Sequence, residues 1–488
     1  MTFREYLDTL EGKSVAVIGA GISNTPLIEA LLTAGINTTI CDRRSRDDLG
    51  NAGASFEELG GKFRLGDNYL KDLNEDVIFR TPGLMPANPA LLEAMKRGAV
   101  LTSEMEVFFD VCPCKIIAVT GSDGKTTTTS IIAELLRREM IHEKTVRREN
   151  LRDKTSQDEV MLDKVIETEG RRIHIGGNIG TPLLCEADNM KPDDITVLEL
   201  SSFQLVTMKK SPDIAVVTNL APNHLDIHKD MKEYIEAKRN IFLHQKPSDK
   251  SVFNFDNEYT RRFASCAPGE VLFFSSCGKV NDGCYIDSGT IFEVRKGRRE
   301  AIIQADQIWL PGAHNIENYM AAFAAVCDLV NHDVMRETAE TFRGIEHRIE
   351  FVREMRGVKF YNDSIASSPT RTIAGLRAFD KRVILIAGGK GKGIAFDKLG
   401  DEICKRVKTL VLTGMTAEQI HDCVVKAPGY KGTPEILLRD DFTDAILAAA
   451  EFAQAGDIVI LSPACTSFDR FRNFEERGNK FKEIVMRL

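Results

Sequence analysis

The chain has 488 residues, 43% hydrophobic and 28% charged, with a formal net charge of −8. That length exceeds what one hydrophobic core organises, so several domains are required, and the acidic balance excludes a non-specific nucleic-acid binder, which needs a basic face. No apolar run approaches the roughly 20 residues of a membrane span, the opening MTFREYLDTLEGK lacks a signal-peptide core, and the eleven scattered cysteines read as free, mostly buried thiols of a cytoplasmic protein.

Residues 14–18 are a buried-strand run feeding Gly19-Ala20-Gly21-Ile22-Ser23; a helix follows over 25–34 and a second strand over 37–41, ending at Asp42. This is the opening of a Rossmann-like βαβ unit. Asn24 stands where GxGxxG has its third glycine, which disfavours an NAD enzyme. A nucleotide-sized site remains: the helix N-terminus near Ser23 for a diphosphate, and Asp42 for a hydroxyl or base edge. A solvated loop carboxylate is the alternative for Asp42. A further strand, 76–81, runs into Pro82-Gly83, and the domain closes near residue 113.

The next stretch, 119–129, reads VTGSDGKTTTT between a β-branched strand and a helix with Ile131, Ile132, Leu135 and Leu136 at helical spacing. Gly121, Ser122, Asp123 and Gly124 form a loop whose N–H groups can face phosphate, with Lys125 as cation and Thr126 as an Mg²⁺ ligand beside Thr127. Val119 occupies the first glycine position of GxxxxGK[ST]. The flanking strand and helix favour nucleotide binding over an ordinary strand-to-helix turn. Residues 140–170, dense in charge, read as an inserted surface helical segment, with structureless linker as the alternative. Strands at 196–200, 214–218 and 251–254 alternate with helices and imply a parallel sheet. Short strand-like runs fill 271–303, and 318–329 is helical. Glu199, at a strand end, can reach a phosphate-bound Mg²⁺ or serve as a cap; His224, Asp226 and His228 hint at a metal without firm spacing.

A third domain begins near residue 345. Its strands, 358–361, 383–387, 409–412 and 458–461, end in polar or glycine-rich residues, where α/β folds place their sites. Arg348 can meet a phosphate or form a structural salt bridge.

The order of motifs is more specific than any one of them. GSDGKTT (121–127), GGNIGTPLL (176–184), ELSSFQL (199–205), NHLDIH (223–228), EAKRNIF (236–242), GAHNIEN (312–318), FRGIEHRIE (342–350), NDS (362–364), AGGKGKG (387–393) and LSPACTSFDRFRNFEERG (461–478) resemble the Mur ligases over nearly the whole chain. The resemblance implies an α/β protein of three domains: a Rossmann-like UDP-sugar domain over 1–113, a central ATP-binding P-loop domain with a parallel sheet over 114–344, and a Rossmann-like amino-acid domain over 345–488. It further implies an ATP-dependent ligase of peptidoglycan precursor synthesis, a cytoplasmic monomer using two Mg²⁺ ions. GGNIG, SSFQL and SPACTSFD point to members that add D-glutamate to UDP-N-acetylmuramoyl-L-alanine through an acyl phosphate. Carried over by position, Lys125 is the phosphate-loop lysine, Thr126, Glu199 and His224 are Mg²⁺ ligands, and Lys238 is the lysine that the family carbamylates. Asn178, Ser201 and Gln204 line the UDP-sugar, with Asp42 and Ser23 nearer the nucleotide. Asn315, Asn318, Arg348 and Asp363 are ATP contacts, with His347 beside them. Lys392, Ser467 and Phe474 hold D-glutamate.

The family's NDSKAT pattern is here Asn362-Asp363-Ser364-Ile365-Ala366-Ser367, without its lysine. Arg371 could bind a carboxylate in its stead, or be a surface arginine opening a helix. A folylpolyglutamate synthetase-like ligase is disfavoured by the N-terminal Rossmann-like unit, and a non-catalytic nucleotide-binding subunit by the presence of Lys125, Glu199, His224 and Lys238.

Overall fold

The computed structural model describes residues 1–21, 23–152, 170–223, 227–391 and 394–488. Three sheets form from apolar, β-branched runs, as expected for strands covered on both faces. The first contains β1 (Ser14–Ile18), β2 (Asn37–Asp42), β3 (Lys62–Leu65), β4 (Val77–Phe79) and β5 (Val100–Thr102), all parallel in the order β3-β2-β1-β4-β5. The second contains β6 (Lys115–Thr120), β7 (Ile173–Gly177), β8 (Ile195–Glu199), β9 (Ile214–Val217), β10 (Lys250–Asn254), β11 (Glu270–Ser275), β12 (Gly283–Asp287), β13 (Thr290–Arg295) and β14 (Arg298–Gln304), in the order β14-β13-β12-β11-β10-β9-β6-β8-β7. The third contains β15 (Glu350–Met355), β16 (Val358–Asn362), β17 (Val383–Ala387), β18 (Val407–Leu412), β19 (Glu435–Leu438) and β20 (Ile458–Leu461), in the order β15-β16-β20-β17-β18-β19.

Two corrections to the parallel reading follow. β13 and β14 continue the central sheet antiparallel, and β15 pairs antiparallel with β16. Both are joined by short turns that leave no room for a crossover helix, and a tight hairpin imposes antiparallel pairing. The helices also begin earlier than their apolar spacing suggests. Ala313–Val326 starts before Asn318, and Pro369–Arg377 takes Pro369 in its first turn, where proline's missing N–H costs nothing. The helix after β6 runs from Lys125 to Arg152; the remainder of the 140–170 segment, 153–169, lies outside the described residues.

The chain divides into two compact units, 1–308 with 314–340, and 309–313 with 341–488. Within the first, one apolar cluster joins Val15, Val17 and Phe79 of the first sheet through Phe108 and Leu184 to Leu198 and Phe242 of the central one. In the second, alternation along β17 sends Val383, Leu385 and Ala387 into one core and Ile384 and Ile386 into another, so the sheet is covered on both faces. Among the described residues no helix is long and apolar enough to cross a membrane.

In the first sheet β2-β3 and β4-β5 flank β1, and in the second β8-β7 and β9-β10 flank β6. Connections therefore leave in opposite directions at the carboxyl ends of β1 and β6, opening the crevice in which α/β sheets bind ligands. The two glycine loops read from the sequence follow these two strands.

Candidate active site

The loop after β6 is pinned from the end of β9. Ser122 N–H donates to the Asn219 carbonyl at 2.9 Å, Asp123 N–H to Asn219 Oδ1 at 2.9 Å, and Thr218 Oγ1 to the Asp123 carbonyl at 2.5 Å. Gly121 has φ +150°, and a Cβ there would land on Thr218 Oγ1, so the approach requires glycine. Lys125 opens the helix and curls its ammonium onto the Gly121 and Ser122 carbonyls at 3.0 and 2.9 Å. Loop N–H groups, a helix N-terminus and a lysine thus share one loop, the composition of a phosphate cradle. Gly124 and Thr127 complete it, half-buried.

Glu199, at the end of β8 and 2% exposed, faces this loop. Its Oε2 accepts from Thr126 Oγ1 at 2.6 Å and its Oε1 from Asn178 Nδ2 at 2.8 Å. Asn178 is held by its own N–H on the Glu199 carbonyl at 2.7 Å, and the preceding Gly177, φ +91°, lies so close that a Cβ would strike that carbonyl. Two residues on, Ser201 and Gln204 form a capping box: Gln204 Oε1 accepts from Ser201 N–H at 3.0 Å and Gln204 N–H donates to Ser201 Oγ at 3.3 Å. The sequence thus brings Thr126, Asn178 and Glu199 to one point and places Ser201 and Gln204 at its edge.

Lys238 is where the structure adds most. It follows Tyr234 by one turn on the helix Met231–Leu243, and in sequence it looks like a solvated lysine beside Arg239. Arg239 does turn to an exposed partner, Glu236, at 2.8 Å. Lys238 turns inward and is 2% exposed, its Nζ donating to Thr120 Oγ1 at 3.1 Å and the Gly121 carbonyl at 2.9 Å, 4.9 Å from the centre of the Tyr234 ring. Burial, reinforced by the Lys125 charge, holds its ammonium well below the ordinary lysine range against the pull of Glu199 and Asp123. Thr120, Asn219 and Tyr234, which also bonds Ser122 Oγ at 3.0 Å, are site-forming residues that the motif reading missed. Only Tyr234 left a signal, its i,i+4 spacing from Lys238.

Among the described residues no group of three His, Cys, Asp or Glu side chains could hold a metal ion. His224 and Asp226 lie outside the described residues. His228 does not join such a group: it stacks on Phe203 at 5.2 Å and bonds Ser202 Oγ at 2.9 Å. Asn318 faces the phosphate loop from another helix, taking a bond from Thr128 Oγ1 at 3.2 Å and giving one to Asn315 Oδ1 at 3.2 Å.

In the first sheet Asn24 fills the place of the missing glycine, its amide donating to the Ile18 and Gly19 carbonyls at 3.1 and 2.9 Å. Ser23 beside it is exposed. Asp42 closes the same loop: it accepts from Ala20 N–H at 2.8 Å and pairs with Arg44 at 2.9 Å. Burial works to raise its carboxyl, and the bonds from Arg44 and Ala20 hold it below the ordinary range.

The second unit brings its own residues together. Asp363, at the end of β16, is enclosed: Ser462 Oγ donates to it at 2.7 Å and Ile349 N–H at 3.3 Å, and burial pushes its carboxyl up to about 7 against Arg348 and Arg371. His347, φ +64°, meets Asn362 Nδ2 at 2.9 Å and the edge of Phe474 at 5.9 Å. Ser467 is buried and its carbonyl caps the turn to Phe471 at 2.8 Å; the Phe474 carbonyl takes the Ser364 hydroxyl at 2.7 Å. Buried Arg477, which the motif reading passed over, ties Ser364 to the Cys465 carbonyl. Arg371 is exposed and donates to the Ile365 carbonyl at 3.3 Å. Lys392 lies outside the described residues.

Comparison with known proteins identifies the family. Residues 119–326 match the Mur ligase middle domain, and residues 347–465 the Mur ligase, glutamate ligase domain. The chain is 47% identical over 489 aligned positions to a UDP-N-acetylmuramoylalanine--D-glutamate ligase of Clostridium novyi, covering 100% of this chain and 99% of that one. Among solved structures it superposes on the UDP-N-acetylmuramate-alanine ligase of Thermotoga maritima with TM-score 0.53 at 16% identity, over 97% of this chain and 99% of the other. It superposes on the MurF ligase of the same organism, solved with ADP, with TM-score 0.51 at 18% identity, over 89% and 93%.

Proposed function

The chain belongs to the Mur ligase family, and from that premise we infer that it joins D-glutamate to UDP-N-acetylmuramoyl-L-alanine at the expense of ATP, in peptidoglycan precursor synthesis. The observation that carries the reading is the cluster of Lys125, Thr126, Asn178, Glu199 and Lys238 around one phosphate loop in a chain nearly half identical, end to end, to a D-glutamate ligase. The protein works as a cytoplasmic monomer.

A carboxylate is too poor an electrophile for an amine until it is phosphorylated. A carboxylate oxygen of the alanine attacks the γ-phosphorus, ADP leaves, and an acyl phosphate forms. The amine of D-glutamate, having given up its proton, attacks the acyl carbon, and the tetrahedral adduct expels phosphate. Lys125 and the loop N–H groups take the charge on the transferring phosphoryl group. Thr126 and Glu199 are hard oxygen donors of the kind Mg²⁺ accepts, with phosphates and water filling the rest. Mg²⁺ bound there neutralises phosphate charge. His224 completes the set in the family, together with Lys238 as a carbamate. Lys238 is suited to carbamylation, because burial lowers its affinity for the proton that must leave before its electron pair can take CO₂. Asn178, Ser201, Gln204, Asp42 and Ser23 are assigned to the UDP-sugar, Asn315, Asn318, Arg348 and Asp363 to ATP, and Lys392, Ser467 and Phe474 to D-glutamate. For Asp363 the assignment is indirect: its enclosed carboxyl holds the backbone of the turn that carries Arg348.

The test is phosphate release from ATP. Release should require both UDP-N-acetylmuramoyl-L-alanine and D-glutamate, and Lys125→Ala should lose about 10²–10³-fold in turnover, as other charge clamps do. Release indifferent to D-glutamate would overturn the assignment.

A further inference from the structure

The segment between the helix Glu104–Val111 and β6 carries Cys112-Pro113-Cys114, which the ligase chemistry does not use. The two sulfurs lie 3.5 Å apart, and Cys114 Sγ is 3.2 Å from Thr196 Oγ1 on β8, with Cys112 Sγ 3.9 Å from the same hydroxyl. Neither cysteine is in a disulfide; Cys112 is half-buried, Cys114 buried and Cys277 exposed. We propose that Cys112 and Cys114 form a redox-active dithiol, a site of reversible oxidation by small hydroperoxides that closes to an intra-loop disulfide.

Proximity is the main argument. The sulfurs need only close from 3.5 Å to a bond of about 2.05 Å, and the loop between them is one residue long. Polarity agrees: the bond from Cys112 holds the Cys114 thiol down at about 7 against burial, with help from Thr196, while the same bond and burial push Cys112 up. The Thr196 hydroxyl also lies nearer Cys114 than Cys112, at 3.2 against 3.9 Å, which makes Cys114 the attacking thiolate and Cys112 the resolving thiol. The Cys114 sulfur attacks the distal oxygen of ROOH, the O–O bond breaks, and the alkoxide leaves as ROH after taking a proton. This leaves a sulfenic acid on Cys114. The Cys112 sulfur attacks that sulfur, the S–O bond breaks, and the hydroxide leaves as water with the Cys112 proton. Two thiols have lost two electrons and two protons, and one hydroperoxide has become one alcohol and one water. The oxidant must be small, because Cys114 is buried.

Trypsin releases both cysteines in one peptide, residues 98–115. The full-length chain is titrated with hydrogen peroxide near neutral pH, alkylated and mapped by mass. The expected result is that this peptide loses two hydrogens and both alkylation sites at doses where Cys277 is still alkylated, and that dithiothreitol restores them. Cys112→Ser should leave Cys114 as a sulfenic acid that a dione probe captures; Cys114→Ser should leave Cys112 unreactive. Thr196→Val, which keeps both cysteines and removes the hydroxyl beside them, should slow the oxidation several-fold. Oxidation of Cys277 before this peptide changes, or Cys112 trapped as the sulfenic acid, would overturn the proposal.

Discussion

Asp363 shows what burial does to one residue. Its carboxyl, ordinarily near 3.8, is pushed up to about 7 because it is enclosed, despite bonds from Ser462 and Ile349 and the charges of Arg348 and Arg371. Between those two values the folded chain holds a proton that the unfolded chain has released, so the stability contributed by this group falls as pH rises through the window. Asp363→Asn has no proton to lose. Its urea midpoint relative to the parent should therefore improve on going from about pH 5 to about pH 8; an unchanged difference would show that the carboxyl titrates normally. Lys238 is the opposite case, a base whose affinity for its proton is lowered by burial. There the low proton affinity serves the chemistry proposed for it.

At the scale of elements, the short helix Ser202–Leu205 cannot hold itself, since four residues make barely one turn. Its capping box secures one end, and buried Arg80 secures the other. Arg80, just past β4 and 1% exposed, donates to the Phe203 carbonyl at 2.7 Å and Thr207 Oγ1 at 2.9 Å, and also to the carbonyls of its own turn at Thr81, Pro82 and Leu84. Thr207 passes the network on to Glu106 at 3.0 Å. Arg80→Ala leaves these acceptors without their donor and Glu106 without the nearby positive charge, a loss of about 3–5 kcal/mol by analogy with broken buried pairs. Equilibrium unfolding in urea checks the magnitude, and a change below about 1 kcal/mol would remove Arg80 from this role. Because the helix carries Gln204 and follows Ser201, Arg80→Lys should raise KM for the UDP-sugar more than for ATP.

For the whole molecule, the division into two units sets how the chain unfolds. The second unit has a six-stranded sheet with an apolar core on each face, contributed by its own residues. Residues 341–488 expressed alone should therefore fold and melt cooperatively. They should be less stable than the same unit in the full chain, because Trp309, which packs on Phe351 at 5.9 Å and under Arg343 at 4.1 Å, is left out. Far-UV circular dichroism with urea tests this, and a broad, non-cooperative transition would show that the unit depends on the rest of the chain. Residues 1–113 should not behave so, since their core is continuous with that of the central sheet.

The sequence by itself determined the family, the strands that carry the loops, and most of the residues gathered at the candidate site. These are local signals: an apolar run, a glycine where the backbone must turn, and a polar residue at the strand's end, repeated in one order. Gly121, Lys125, Thr126, Asn178 and Glu199 were legible because each belongs to such a strand-end motif. Tertiary structure alone decided the rest. Lys238 was named through the order of motifs, although its local spacing also fits a surface lysine beside Arg239; its burial is decided only by packing of its helix against Thr120 and Gly121. Arg80 carries no local pattern, and Asn24 looked like damage to a fingerprint until its amide was seen to hold the loop's carbonyls. The antiparallel β13, β14 and β15 depended on pairing partners and turn lengths. Burial and charge environment are set by residues distant in sequence, and those neighbours are assigned only when the sheets assemble.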